Sequence, residues 1–371
     1  MTTPNDFEIF LVATPGLEPE LLAETQSLNF RNVKAIPGGV QFSGKWPDVW
    51  RASLQIRGAS RILARIGSFR ALHLAQLDKR ARKFPWADIL RKDIPVRVEF
   101  TCKKSRIYHA GAAAERVETA IREEFGAPIE HDADLCIKAR IEDDLCTFSI
   151  DTSGEGLHKR GFKEAIAKAP MRETLASLFL RRCGYQGLEP VLDPMCGSGT
   201  FVIEAAEIAA GLMPGRGRHF AFEQLANFDE AKWRTMSAAT PPKTPPFMFH
   251  GSDRDAGAIK ASLANAERAG VSAFTQFQRK TISELTAPEG SPGLVIVNPP
   301  FGTRIGDKKP LHGLYGALGN TLKTKFAGWR VGLVTTEPAL AKSTGLPFHD
   351  PGRSISHGGL KVLLFQTAKL P

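Results

Sequence analysis

Two short stretches carry residues whose types and spacing suit chemistry. Asp193-Pro194-Met195-Cys196-Gly197-Ser198-Gly199-Thr200 follows the apolar Pro190-Val191-Leu192, and Asn298-Pro299-Pro300-Phe301-Gly302 follows Leu294-Val295-Ile296-Val297. Each reads as a strand running into a loop that cannot continue it. The side-chain oxygen of Asn298 and the backbone carbonyl of Pro299 are two acceptors for the hydrogens of an exocyclic amine. Such a nitrogen is a poor nucleophile because its lone pair is delocalised into the ring. Holding both hydrogens turns it toward sp3 geometry and aims the lone pair. Pro299 and Pro300 stiffen the loop and remove competing N–H donors. Phe301 can stack on a planar base. Alone, the same residues also describe a tight Pro-Pro turn with Asn298 bonded to its own backbone. The glycine loop upstream favours the chemical reading.

In that loop glycine stands where a backbone must pass close to a ligand. The loop opens a helix, whose positive end suits a carboxylate. A phosphate-binding P-loop would need Gly-Lys-Ser/Thr, which is missing. A dinucleotide fingerprint would need glycine or alanine at Val202. S-adenosyl-L-methionine (SAM) remains, with Asp193, Pro194, Cys196, Gly197, Ser198, Gly199 and Thr200 as its binding residues and Asn298 beside it. In Gly251-Ser252-Asp253-Arg254-Asp255, Asp253 is placed to accept the ribose hydroxyls, with Arg254 next to it. Asp255 better fits the cap of the following helix. At the third strand tip the resemblance to related methyltransferases, which place an acid there for the adenine amine, implies Thr281 and Ile282 at the adenine end, with Glu284 as a neighbouring substitute for Thr281 or a plain surface residue. SAM is a sulfonium with a good leaving group, so alignment for in-line attack is the main requirement. No metal is expected: the five cysteines, at 102, 136, 146, 183 and 196, and the nine histidines show no ligand spacing.

These residues need elements to hold them. A chain of 371 residues implies two or three domains. Its 42% hydrophobic and 24% charged residues are those of a soluble globular protein. No apolar run approaches the ~18 residues of a membrane span, and the start does not read as a signal peptide. A cytoplasmic monomer is expected. Between Arg51 and Glu124 stand seventeen Lys or Arg against eight Asp or Glu, nearly the whole net charge of +10. That asymmetry points to a polyanion; the alternative is a well-solvated basic surface. From Pro190 onward strand and helix alternate, the pattern of a doubly wound, mostly parallel, Rossmann-like α/β sheet. An insertion rich in Pro, Gly and aromatic residues is expected at 211–246.

The stretch 50–155 resembles a THUMP domain, an RNA-binding module. The likeness rests on Lys103-Lys104-Ser105-Arg106-Ile107-Tyr108-His109, the helix after it and the final pair of strands. Lys103, Lys104 and Arg106 would neutralise phosphates, and Ser105 and Tyr108 would bond to backbone or sugar oxygens. The same residues also fit a solvated turn. The whole chain resembles the bacterial 23S rRNA guanine-N2 methyltransferases of the RlmL/YpsC type. The residues carrying this are Leu157-His158-Lys159-Arg160-Gly161-Phe162, Phe220-Ala221-Phe222-Glu223-Gln224 and the two motifs above.

The resemblance implies a ferredoxin-like unit at 1–50, a THUMP RNA-binding domain at 51–155, a linker and cofactor-covering helix at 156–185, and a class I methyltransferase domain at 186–371. It implies rRNA methylation at guanine N2, with RNA as partner. Lys159 and Arg160 are assigned to RNA phosphates, against a plain basic linker. Thr281 stands where the family usually has an acid, and Phe301 where tyrosine is common. A tRNA guanine-N2 enzyme and an adenine-N6 nucleic-acid enzyme are the alternatives. Protein glutamine methylation, which would not need the basic region, and a non-enzymatic RNA-binding protein stand further off.

Overall fold

The computed structural model describes residues 6–164, 171–238, 241–301 and 309–371. Residues 165–170 of the expected linker and covering helix, and Gly302 of the second motif, lie outside them. The chain divides into two units: residues up to Ala13 with Leu22–Leu157 and a stretch from Arg218, and Thr14–Leu21 with His158–Gly217 and the rest of the chain from Thr240.

The first unit is built on one seven-stranded sheet. Its strands are β1 (Phe7–Val12), β2 (Lys34–Ile36), β3 (Gly39–Gly44), β4 (Arg61–Arg70), β5 (Val96–Lys103), β6 (Leu135–Glu142) and β7 (Leu145–Asp151), in the order β2-β3-β1-β4-β7-β6-β5. This sheet runs without a break through the regions expected as 1–50 and 51–155. β4 joins them, pairing with β1 on one side and β7 on the other. Period-2 alternation explains how. Ile62 and Ala64 of β4 are buried, while Arg61 and Arg65 point to the other face. A bulge between Arg65 and Gly67 bends the strand, and a side chain at Gly67 would strike the ring of Phe84.

Four helices belong to this half of the sequence: α1 (Glu18–Ser27), α2 (Trp46–Gln55), α3 (Leu74–Arg82) and α4 (Ala110–Ala120). α4 continues as one π turn, Ile121–Phe125, and stops at the left-handed Gly126.

Much of the basic excess is paired within this unit. Arg61 meets Asp151 at 2.7 Å, Lys103 meets Glu142 at 2.8 Å, and Arg82 bonds Asp78, Glu123 and Glu124. Arg65 pairs with Glu8 and Arg97 with Glu99.

The second unit holds the expected α/β sheet. Its strands are β8 (Val191–Asp193), β9 (Phe249–Asp253), β10 (Thr275–Arg279), β11 (Leu294–Val297), β12 (Arg330–Thr335), β13 (Ile355–His357) and β14 (Leu360–Gln366), in the order β10-β9-β8-β11-β12-β14-β13. The first five run parallel, and β14 is antiparallel to β12. The later helices in chain order are α5 (Glu173–Arg182), α6 (Thr200–Ala209), α7 (Glu230–Ser237), α8 (Ala256–Ala269), α9 (Lys309–Lys325) and α10 (Pro338–Ser343), of which α7 belongs to the first unit.

Two features were not anticipated. The last strand is half of a hairpin with β13. The insertion contains α7, and from Arg218 it belongs to the first unit. Arg218 donates to the carbonyls of Ser153, Glu155 and Gly156. Phe220, Phe222, Phe228 and Trp233 form an aromatic cluster reaching Trp50 of α2. Burying those rings is worth more than leaving them in a solvated loop.

Candidate functional site

β8 lies between β9 and β11, with Asp193 in register with Gly251 and Val295 with Leu192. The carboxyl tips of all three strands are therefore neighbours, at the point where the strand order reverses. The two sequence motifs leave from adjacent strands.

The first motif forms a tight bend. Gly197 and Gly199 have φ of +54° and +83°, a region that penalises any side chain. Gly199 precedes α6 and offers no side chain to cap it, so among the described residues no side chain caps the helix's first-turn N–H groups. Four tethers hold the bend. Cys196 N–H donates to Ser252 O at 2.9 Å and Gly197 N–H to Asp253 Oδ2 at 3.1 Å. From α8, Ser262 Oγ donates to Gly197 O at 2.9 Å and Asn265 Nδ2 to Ser198 O at 3.1 Å. Ser262 and Asn265 are buried. Sequence reading passed over both, although two polar residues three apart on the buried face of a helix were the available signal.

Asp193 is buried and accepts Met195 N–H at 3.0 Å. Burial pushes its carboxyl up to about 8, with the Met195 bond opposing and Asp253 adding repulsion. The ordinary value, about 3.9, applies to the unfolded chain. The folded state therefore keeps a proton that the unfolded state has released, and this group's contribution to stability falls as pH rises from about 4 to about 8. Asp193→Asn should flatten the decline of Tm across that range. Parallel Tm curves for parent and variant would contradict the assignment.

Asp253 holds two N–H groups, Gly197 on Oδ2 and Asp255 on Oδ1 at 3.0 Å, and keeps lone pairs for further donors. Asp255 caps α8 through the N–H groups of Gly257 and Ala258. Arg254 is exposed, and its carbonyl accepts Arg279 Nε. The Thr281 hydroxyl donates to Glu284 Oε2 at 2.8 Å and still has acceptor capacity. Ile282 is buried in the core cluster of β11 and α9.

At the tip of β11, Asn298 is half-buried, Pro299 buried, Pro300 exposed and Phe301 packed against that core cluster. Asn298 Oδ1 is buried and has no hydrogen-bond donor among the described residues. The Tyr315 hydroxyl lies 3.4 Å from the Pro300 carbonyl and 3.4 Å from Thr335 Oγ1. Burial pushes its phenol up to about 12, so it remains a donor to the loop.

Of the residues assigned to RNA, Lys104 is exposed with φ +46°, and Lys103 is bonded to Glu142. Ser105 Oγ donates to Lys103 O and accepts Asp144 N–H, while Arg106 N–H donates to Asp144 Oδ1. Lys159 is exposed. Arg160 corrects the expectation. It is 4% exposed, with Nε donating to Glu204 Oε1 at 3.2 Å. A guanidinium buried against a carboxylate is not presented to a surface phosphate.

The sheet order, the glycine bend and the acid at the second strand tip define the class of SAM-dependent methyltransferases. Models of known families agree. An RMKL-like methyltransferase domain matches residues 160–347, an RlmL ferredoxin-like domain 8–63 and a THUMP domain 73–151. The chain belongs to this RMKL-like methyltransferase family.

A curated relative, ribosomal RNA large subunit methyltransferase K/L of Allochromatium vinosum, is 36% identical over 91% of this chain and 49% of its own length. The chain spans about half the length of the curated relatives it matches. Among solved structures, a possible methylase from Clostridium difficile 630 is 27% identical, with a TM-score of 0.89 and 99% of each chain covered. SMU.472, a methyltransferase candidate crystallised with S-adenosylhomocysteine (SAH), is 26% identical, with a TM-score of 0.87 and full coverage of both chains.

Proposed function

We propose that this chain transfers a methyl group from SAM to the exocyclic N2 amine of a guanine in 23S rRNA. The observation that carries it is the buried Asn298 Oδ1, which has no hydrogen-bond donor among the described residues, at a strand tip beside the glycine bend. An orphaned buried acceptor costs ~1–3 kcal/mol, so its place calls for a donor supplied by a ligand. The residues fit the cofactor. The open first turn of α6 suits its carboxylate, and the remaining lone pairs of Asp253 suit ribose hydroxyls. Thr281 and Ile282 would border the adenine, with Arg254 at the rim.

When bound, SAM supplies a methyl group made electrophilic by the adjacent sulfonium. The protein's part is positioning. Asn298 Oδ1 and the Pro299 carbonyl accept the two amine hydrogens, and Phe301 stacks on the base. The guanine amine thereby presents its lone pair in line. The proton leaves after transfer, when the nitrogen is strongly acidic.

The THUMP domain and the names of the relatives support RNA as partner. The division of labour we propose is a ferredoxin-like unit at 1–50, RNA capture at 51–155, a linker at 156–185 and catalysis at 186–371. The reading places the protein in the cytoplasm as a monomer. Among the described residues no helix is long and apolar enough to cross a membrane.

The deciding experiment incubates the protein with labelled SAM and separated 23S rRNA, 16S rRNA and tRNA from a strain lacking it, then digests to nucleosides. N2-methylguanosine from 23S rRNA is expected. Label only in tRNA, or in N6-methyladenosine, overturns the substrate assignment. Lys104→Glu should weaken RNA binding several-fold and reduce the salt slope by about one, leaving SAM affinity unchanged. An unaltered slope would remove Lys104 from the RNA surface.

A further inference from the structure

One face of α6 carries Thr200, Glu204 and Glu207, spaced so that they stack along one side of the helix. Each meets a cation. Lys163 Nζ donates to Thr200 Oγ1 at 2.8 Å, Arg160 Nε to Glu204 Oε1 at 3.2 Å, and Arg216 to Glu207. Glu204 and Glu207 are each 1% exposed. The two arginine pairs grip the body of the helix. Lys163 reaches its first residue, which directly follows the Gly197-Ser198-Gly199 bend. The same ammonium donates to Met171 O at 2.8 Å and lies 3.1 Å from Glu173 Oε1, at the first turn of α5. It therefore ties the starts of two helices together.

Helix polarity argues against a cation at these positions on stability grounds. A helix start is the positive end of its dipole, and removing an ammonium from water is costly. Glu173 offsets part of this for α5. The start of α6 has no capping side chain among the described residues, so its first turn keeps a positive end. Such a site suits an anion.

We propose that Lys163 is a positioning residue for the cofactor: it fixes the first turn of α6 and keeps that turn positive for the carboxylate of SAM. The inference rests on the reading that SAM occupies the glycine bend. Lys163 acts through Thr200 and the helix start.

The test is isothermal titration of SAM and SAH into the parent protein and its Lys163→Met, Lys163→Arg and Thr200→Val variants. Tm and steady-state methylation of 23S rRNA are measured alongside. Lys163→Met should raise Kd and the KM for SAM about tenfold, with kcat at saturating SAM within about twofold of parent. Lys163→Arg should recover most of the affinity.

Thr200→Val removes the same bond without touching the charge, and serves if Lys163→Met does not fold. The double variant should be no worse than Lys163→Met alone. Lower Tm with parental SAM affinity in the variants overturns the proposal. A parent that binds no SAM overturns the cofactor reading itself, a result visible before any variant is made.

Discussion

Asn298→Ala should lower kcat by about two to three orders of magnitude while Kd for SAM stays within about threefold of parent. The magnitude is that of losing one preorganised polar contact to a group whose charge changes in the transition state. The sharper expectation concerns stability. Asn298 Oδ1 is buried without a donor among the described residues. Removing an unsatisfied acceptor relieves ~1–3 kcal/mol of desolvation, so the variant should unfold at the same temperature as the parent or higher. Function retained at the cost of stability is expected of an active-site group. An Asn298→Ala protein that methylates at the parental rate would end the proposed chemistry.

The second large effect falls on stability and separates two roles for one residue. Arg160→Ala should destabilise the protein by about 3–5 kcal/mol, because it removes the guanidinium paired with the buried Glu204 carboxylate. Heating should show this as a Tm lower by roughly 10 °C. RNA affinity of the folded variant should be unchanged. Replacing Arg160 and Glu204 together by Met and Leu should restore much of the loss, since the desolvated pair then disappears as a whole. A phosphate-binding Arg160 would give the opposite pattern, parental Tm with weakened, less salt-dependent RNA binding.

Arg160 also shows where reading residues in a line stops. Within Leu157-His158-Lys159-Arg160-Gly161-Phe162, Lys159 and Arg160 are equivalent by charge and position, yet one is exposed and the other buried. The carboxylate that decides the matter, Glu204, lies 44 residues away. Lys163 is a similar case, its partner Thr200 lying 37 residues away. The insertion after Gly211 is a further case. Its aromatic content was visible, but its membership of the first unit depends on Trp50 and on the carbonyls that receive Arg218.

The amino-acid sequence by itself determined the features whose causes are local. Glycines at 197 and 199 permit φ values denied to other residues, Pro299 and Pro300 stiffen the tip after Asn298, and apolar runs of strand length alternate with helical periods. Those signals were enough to expect a doubly wound, mostly parallel sheet and to propose a cofactor bend and an amine-binding tip at its strand ends. Only the tertiary structure decided which charges are paired inside the protein, that Asn298 Oδ1 is buried without a donor among the described residues, and that the first two regions share one sheet through β4. Burial and pairing depend on what distant segments bring to the same place, and a side chain's own type does not contain that information.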